Sequence, residues 1–442
     1  MFDTTLKKGA ATVAGALMAA TVMTSSASAK VSIEWWYGNS GKIEEAILEM
    51  VGAFNASQDK YEVVGVRKGN YEETFAAMIA AYRTGQHPTI IQATERSFLT
   101  MLNSKAVIPV SKLMADKGYN IDWNTFIKPV ADFYALDGAP AALPFNSSTA
   151  VLWYNADHFA AAGFDGPADT WDAFEKQLYA LKEKGITQCG MTLNGDFPWS
   201  MIEGYSAIND YPFGTKANGF DGYDTEYVFN KTPVVKQVER IKRWIDDGVI
   251  QLAGQGMSPA TLFNAGTCST RFSSTASHAD VEANATFKWG AAFMPHEADV
   301  KEPKNSNIGG AALWVLKGKK DQEYDAAAAF LDYVATVKNQ VWWSKTTGYV
   351  PVTLPAYEAM KAEGFFKEHP TREIAILQLA RGVPTENSRG FRFGNGNQSY
   401  QILHEELQSV WTGEKSVQQA LDNAVARGNA VLRQYEKLHA HK

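Results

Sequence analysis

The chain has 442 residues, 45% hydrophobic and 20% charged, the composition of an ordinary globular protein and not of a disordered or fibrous one. Its formal net charge of -6 argues against a nucleic-acid partner, because a binder of the phosphate backbone needs a basic face. That balance still leaves room for one small anion held in a local site.

The N-terminus sets the compartment. Lys7 and Lys8 precede an uncharged run from Gly9 to Met23, rich in Ala, Val, Leu and Met, and Ala27-Ser28-Ala29 is a small-x-small cleavage site. This pattern predicts a secretory signal peptide over residues 1–29, cut after Ala29. The apolar run is short for a membrane span, which takes about 20 residues. The mature chain is expected outside the cytoplasm, at a length that suits two or three domains. Such a compartment permits a disulfide between Cys189 and Cys268, and the spacing alone leaves that bond open.

Val31 to Trp36 is β-branched and aromatic and predicts a strand. Ile43, Ile47, Val51 and Phe54 follow at helical spacing, and Tyr61 to Val66 predicts a second strand. Tyr71, Phe75, Met78, Ile79 and Tyr82 make the next helical stripe, closed by Gly85, and Thr89 to Ala93 is a third strand. This β-α-β-α-β order predicts a largely parallel α/β sheet. Further on, Thr170 opens a helix with Trp171, Phe174, Leu178 and Leu181 inward. Thr232-Pro233 opens another with Val234, Val238, Ile241 and Ile245 on one face. Ser416 to Gln419 is a capping-box pattern at the start of a long C-terminal helix. No low-complexity linker separates these segments, so the domains are expected to be lobes joined by several crossings.

Catalytic signatures are missing from the sequence. His404-Glu405-Glu406 has no second histidine at zincin spacing, and the histidines read as surface residues. Gly38-Asn39-Ser40-Gly41-Lys42 looks briefly like a phosphate loop, but Ile43 stands where a magnesium-binding hydroxyl belongs; it reads as a strand-to-helix turn whose amides face a ligand. There is no nucleophile elbow. No enzyme activity, cofactor or metal is predicted.

Five segments instead combine aromatic, hydroxyl and glycine residues. They are Lys68-Gly69-Asn70-Tyr71-Glu72, Pro144-Phe145-Asn146-Ser147-Ser148-Thr149, Gly309-Gly310-Ala311-Ala312-Leu313-Trp314, Thr347-Gly348-Tyr349-Val350-Pro351 and Arg389-Gly390-Phe391-Arg392-Phe393-Gly394-Asn395. Each alone is ordinary turn chemistry. Their joint order is more specific. Taken with Arg83-Thr84-Gly85, Asn218-Gly219-Phe220-Asp221-Gly222 and Val410-Trp411-Thr412-Gly413, the sequence resembles the glycerol-3-phosphate-binding proteins of bacterial ABC importers over nearly the whole mature chain.

The resemblance implies an α/β fold of the type II, two-lobed periplasmic binding-protein kind, with mixed, mainly parallel sheets flanked by helices and a hinged cleft between the lobes. On that reading residues 30–145 with 306–350 form lobe 1, and 146–305 with 351–442 form lobe 2. It implies ligand contacts at Tyr71, Glu95, Ser148, Ser274, Gly310, Tyr349 and Arg392. Arg392 would offer its planar fork of donors to phosphate, and Glu95, an acceptor, would take glycerol hydroxyls. Asp196, Trp199 and Trp36 are the candidate specificity positions. Asp196 stands where the family often has a tryptophan; either a carboxylate there disfavours a dianionic monoester and suits a diester with a cationic head, such as glycerophosphocholine, or the loop shifts and Phe197 or Trp199 fills the gap. The implied partners are a phosphorylated polyol and the permease subunits of an importer in the inner membrane, the implied state is a monomer, and the implied location is the periplasm. A binder of unphosphorylated sugars and a phosphodiester hydrolase are the competing readings.

Overall fold

The computed structural model describes Met1 and residues 29–136, 138–193, 197–253 and 258–439. Most of the expected signal peptide, and Asp196, lie outside the described residues. No helix among the described residues is long and apolar enough to cross a membrane.

In chain order, β1 (Val31–Tyr37), β2 (Tyr61–Arg67), β3 (Ile90–Thr94), β4 (Val107–Ile108) and β5 (Leu143–Ser148) belong to a first sheet. β6 (Ala150–Asn155), β7 (Cys189–Leu193), β8 (Ile250–Leu252), β9 (Cys268–Ser274) and β10 (Trp289–Ala292) form a second, and β11 (Gly309–Leu316) returns to the first. The six-stranded sheet runs β2-β1-β3-β11-β4, with β5 also paired to β11. The five-stranded sheet runs β8-β7-β9-β6-β10.

The parallel pairing expected from the β-α-β order holds in β2-β1-β3, where Val31 faces Tyr61 and Trp35 faces Ile90. The strands β11 and β6 make only antiparallel pairs. Local order did not predict them, because β11 reaches its sheet only after the chain has built the other one.

Helices Gly41–Ser57 and Tyr71–Arg83 cover the first sheet, burying Ile47, Phe54 and Met78 from the stripes their spacing predicts, and Asp321–Ala335, which the sequence did not point to, buries Phe330 there. Ile79 is an exception and is exposed. Trp171, Phe174, Leu178 and Leu181 of Trp171–Glu183 are fully buried, as are Val234, Val238 and Ile241 of Val234–Asp246. Two aromatic-rich cores result, one around Trp35 and Trp314, the other around Trp171, Trp244 and Phe272. Truncating such a ring to Ala costs about 3–5 kcal/mol.

Only Thr149 separates β5 from β6, so the chain passes directly from one sheet to the other. It returns between Ala292 and Gly309, and crosses again on the way to the C-terminal helices Gly396–Trp411 and Val417–His439, which pack into the second core. Gln378 fastens two of these passages. Its Nε2 donates to Ala150 O at 2.7 Å and Ser306 Oγ at 3.1 Å, and its Oε1 accepts from Met294 N at 2.8 Å. Cys189 and Cys268, partners in the β7–β9 register, are disulfide-bonded with their Cα atoms 4.7 Å apart. Not every histidine is a surface residue: His87 and His278 are buried.

Candidate functional site

A cleft of about 310 Å³ opens where the crossings lie, at the lower end of the size usual for small-ligand sites. Its walls combine the ends of strands from both sheets with the start of a helix.

Tyr71 is the first residue of helix Tyr71–Arg83, and a reciprocal cap fixes it there. Asn70 Oδ1 accepts from Glu73 N at 2.8 Å, and Glu73 Oε2 accepts from Asn70 N at 2.8 Å. The Tyr71 hydroxyl accepts from Asn39 Nδ2 at 2.9 Å and Asn146 Nδ2 at 2.8 Å. Burial raises its pKa well above the ordinary range, and the neighbouring Tyr349 hydroxyl raises it further, so it stays protonated. Asn39 also donates to Tyr349 Oη at 3.3 Å. Behind these groups, Gln92 Nε2 donates to Asn39 Oδ1 at 2.8 Å and to Asn146 Oδ1 at 2.9 Å, while its Oε1 accepts from Gly38 N at 3.2 Å. One buried amide on β3 thus aims two phenols. The Gly38 amide is spent on this network and not on a ligand.

Tyr349 follows the left-handed Gly348 that closes helix Val337–Thr347, and its ring stacks on Trp343 with centroids 5.8 Å apart. A side chain at Gly348 would strike Thr275 O at 2.8 Å. Ser148 ends β5 and Ser274 ends β9, so one hydroxyl comes from each sheet. Gly310, paired with Ser147 at the start of β11, has φ +93°, and a Cβ there would lie 1.9 Å from Asn146 O. Only glycine allows that approach. Trp199 closes one side, its Nε1 donating to Ile308 O at 3.4 Å.

Glu95 opens the turn after β3 and is nearly buried. Arg96, the next residue, lines the same cleft, with Nη1 3.5 Å from Glu95 Oε1 and its guanidinium 3.8 Å over the Tyr400 ring. The cleft therefore gathers Tyr71, Glu95, Ser148, Ser274, Gly310, Tyr349 and Trp199.

Arg392 is placed elsewhere. Its Nη2 donates to Asp132 O at 2.9 Å, to Ala135 O at 3.1 Å and to Phe133 O, and its plane lies 4.4 Å over Phe98 and over Phe220. Burial, then the nearby Arg389, lowers its pKa to about 10. The guanidinium serves the carbonyl end of helix Lys128–Tyr134, an attractive place for a cation. Trp36 is also outside the cleft, with Nε1 bonded to Glu34 Oε2 at 2.7 Å and Lys68 4.1 Å over its ring. Asp196 belongs to the residues not described.

The family model for bacterial extracellular solute-binding proteins matches residues 49–373. The chain belongs to this family. Among the relatives of this solute-binding protein, the sn-glycerol-3-phosphate-binding periplasmic protein UgpB of Pectobacterium atrosepticum is 39% identical over 99% of each chain. Among solved structures, UgpB from Mycobacterium tuberculosis in complex with glycerophosphocholine is similar at a TM-score of 0.78 and 21% identity, covering 91% of this chain and 98% of that one. The GacH receptor of Streptomyces glaucescens is similar at 0.77 and 18%, covering 92% and 99%. The fold is that of the two-lobed periplasmic binding proteins, a class that takes small molecules and works with membrane permeases.

In this solute-binding protein the sequence did not point to Arg96, Gln92 or Tyr400, and it placed Asn39 and Asn146 in candidate turn segments without a role of their own. A signal for Arg96 was present, since a charged residue beside Glu95 at a strand end shares its turn. None existed for the amide network, whose members come together only in the folded sheet.

Proposed function

We propose that this chain is the extracytoplasmic capture subunit of an ABC importer and binds glycerol 3-phosphate, a glycerophosphodiester, or both in the cleft. The observation that carries the reading is the set of polar groups from both sheets, the hydroxyls of Ser148, Ser274, Tyr71 and Tyr349 and the bare backbone of Gly310, that line one cleft together with the Glu95–Arg96 pair. Phosphate oxygens are acceptors, and hydrogen bonds to a charged group contribute about 1.5–3 kcal/mol each. The hydroxyl donors suit the phosphate. Glu95 would repel phosphate and accepts from the glycerol hydroxyls, with Arg96 offsetting its charge. The names of the relatives support this choice of ligand.

Lobes of 30–145 with 306–350 and of 146–305 with 351–442 belong to the reading; the sheet memberships support the division of the strands up to Leu316, except that β5 runs to Ser148 within the first sheet, and Val352, Met360 and Phe366 pack into the first core. Ligand bridges the lobes and shifts the open form toward a closed one that docks on the permease. The protein acts as a periplasmic monomer, cut after Ala29, and releases its ligand unchanged.

Titration calorimetry of refolded, ligand-free protein tests this. Micromolar binding of glycerol 3-phosphate or glycerophosphocholine, about -8 kcal/mol, is expected. Silence with both and heat with a neutral sugar would leave the fold and remove the ligand.

A further inference from the structure

Gln92 stands in the middle of β3, fully buried behind the cleft, yet the hydrogen bonds that leave it decide what the cleft can offer a ligand. A side-chain amide can in general face either way, with its nitrogen and oxygen exchanged. This one cannot, because the backbone N–H of Gly38 only donates, and the atom 3.2 Å from it is therefore the Gln92 oxygen. Gly38 is itself held against the start of helix Tyr71–Arg83, where even a Cβ would lie 2.7 Å from Tyr71 N.

The direction then passes outward step by step. With its oxygen on Gly38, Gln92 turns its NH2 group to Asn39 Oδ1 at 2.8 Å and Asn146 Oδ1 at 2.9 Å. Those oxygens accept, so both Asn residues present their NH2 groups to the Tyr71 hydroxyl, at 2.9 Å and 2.8 Å. Asn39 also donates to the Tyr349 hydroxyl at 3.3 Å. Two donors thus occupy the lone pairs of Tyr71 Oη. What Tyr71 has left to give is its proton, to the Tyr349 oxygen with which it is hydrogen-bonded or to a ligand oxygen. The Tyr349 oxygen likewise sits between donors, Asn39 and Tyr71.

We infer that Gln92 is a specificity-determining residue that acts without touching the ligand: by fixing the direction of these hydrogen bonds it makes the phenols donors only, and so selects a phosphate whose oxygens carry no proton. The inference rests on the capture reading above and adds the protonation state of the ligand. A P–OH group needs an acceptor, and neither phenol supplies one. The dianion of a monoester and the monoanion of a diester need none. With a side chain at position 92 that cannot donate, Asn39 and Asn146 lose what orients them. Each is then free to turn its oxygen to the Tyr71 proton, and Tyr71 then shows a lone pair to the cleft.

Titration calorimetry on the intact mature protein, with glycerol 3-phosphate and glycerophosphoglycerol at pH 7.5 and pH 5, tests this. The monoester takes up its second proton near pH 6, so its dianion falls about tenfold over that range, while the diester does not titrate. Glu72, Glu95, Arg96, Tyr71 and Tyr349 are the titratable groups that line the cleft, and they meet both ligands, so the diester is the control for them. Wild type is expected to lose about tenfold in monoester affinity from pH 7.5 to pH 5 and less than threefold in diester affinity. Gln92→Met, uncharged and of similar size, is expected to bind the monoester at least tenfold more weakly at pH 7.5 and to lose less than threefold more at pH 5. Attraction between charges alone, or a mere loss of packing, would leave the acid loss intact in this variant. Wild type without that loss, or a variant that keeps it, overturns the inference alone; wild type that binds neither ligand removes the capture reading and the inference with it. If Gln92→Met fails to fold, or wild type takes only the diester, neutron diffraction from deuterium-exchanged wild-type crystals decides. The amide deuterons are expected to point from Gln92 to Asn39 and Asn146, and from those two to Tyr71; any of the three amides found reversed overturns the inference.

Discussion

Arg392 gives its guanidinium to three carbonyl oxygens beyond the cleft, whereas Arg96 stands in the cleft beside Glu95. The two therefore fail differently when truncated. Arg392→Ala strands those carbonyls and removes the cover of Phe98 and Phe220; it is expected to lower stability by about 2–3 kcal/mol and leave affinity within twofold. Arg96→Ala is expected to weaken glycerol 3-phosphate at least tenfold with little change in melting. Calorimetry and thermal denaturation on both variants check this, and the reverse pattern would return Arg392 to the site. Tyr349→Phe removes one hydroxyl from the set that meets the phosphate and is expected to cost about 1.5–3 kcal/mol of affinity, tenfold or more. The residue types of the cleft were legible because glycines and hydroxyls cluster at strand ends and turns. The identity of its arginine was not, since Arg392 among glycines and Arg96 at a strand end look equally available until the carbonyls of Lys128–Tyr134 are seen to hold the former.

At the scale of elements, β5 and β11 meet where Gly310 pairs with Ser147 and lies against the Asn146 carbonyl. A methyl group at Gly310 has both a left-handed φ and a backbone oxygen to contend with. Gly310→Ala is expected to destabilise by about 1–3 kcal/mol from backbone strain alone, with further loss from the clash, and to abolish ligand binding, as read by denaturant unfolding and calorimetry. The bond between β7 and β9 closes a separation of 79 residues. Its reduction is expected to cost about 2–4 kcal/mol, seen as a lower denaturation midpoint in dithiothreitol. The long helices were legible from their apolar stripes. β4, of two residues, and β8, of three, carry no periodicity to read, and the turn Pro198–Glu203 is buried along most of its length, so no polar face marks it.

Over the whole molecule, the opening strand–helix alternation made the first sheet legible, and the absence of a linker anticipated several crossings. Which strands complete each sheet was not legible, because β11 pairs with strands laid down far earlier. The same long-range packing creates a pH response. His278 lies between β6 and β10, edge-on to Trp153 and Trp289, while Gly348, next to the cleft, packs on its Cβ. Arg372 and His369 face it from the segment after the third crossing begins, and Glu282 Oε2 lies 3.5 Å from its Nδ1. Glu282 favours a proton there but is half exposed and screened; burial, then Arg372 and His369, outweigh it and lower His278 to about 3. The folded state thus holds this imidazole neutral across a range where the unfolded chain, with its ordinary value near 6.5, takes up a proton. Stability must then fall as pH drops from about 6.5 toward 3, since the unfolded state binds the extra proton. His278→Leu removes the term. Its melting temperature is expected to decline less steeply than that of wild type between pH 6.5 and 4, whatever its value at pH 7. Parallel curves would mean that His278 does not titrate differently on folding, and that the acid response of the protein lies in its carboxylates.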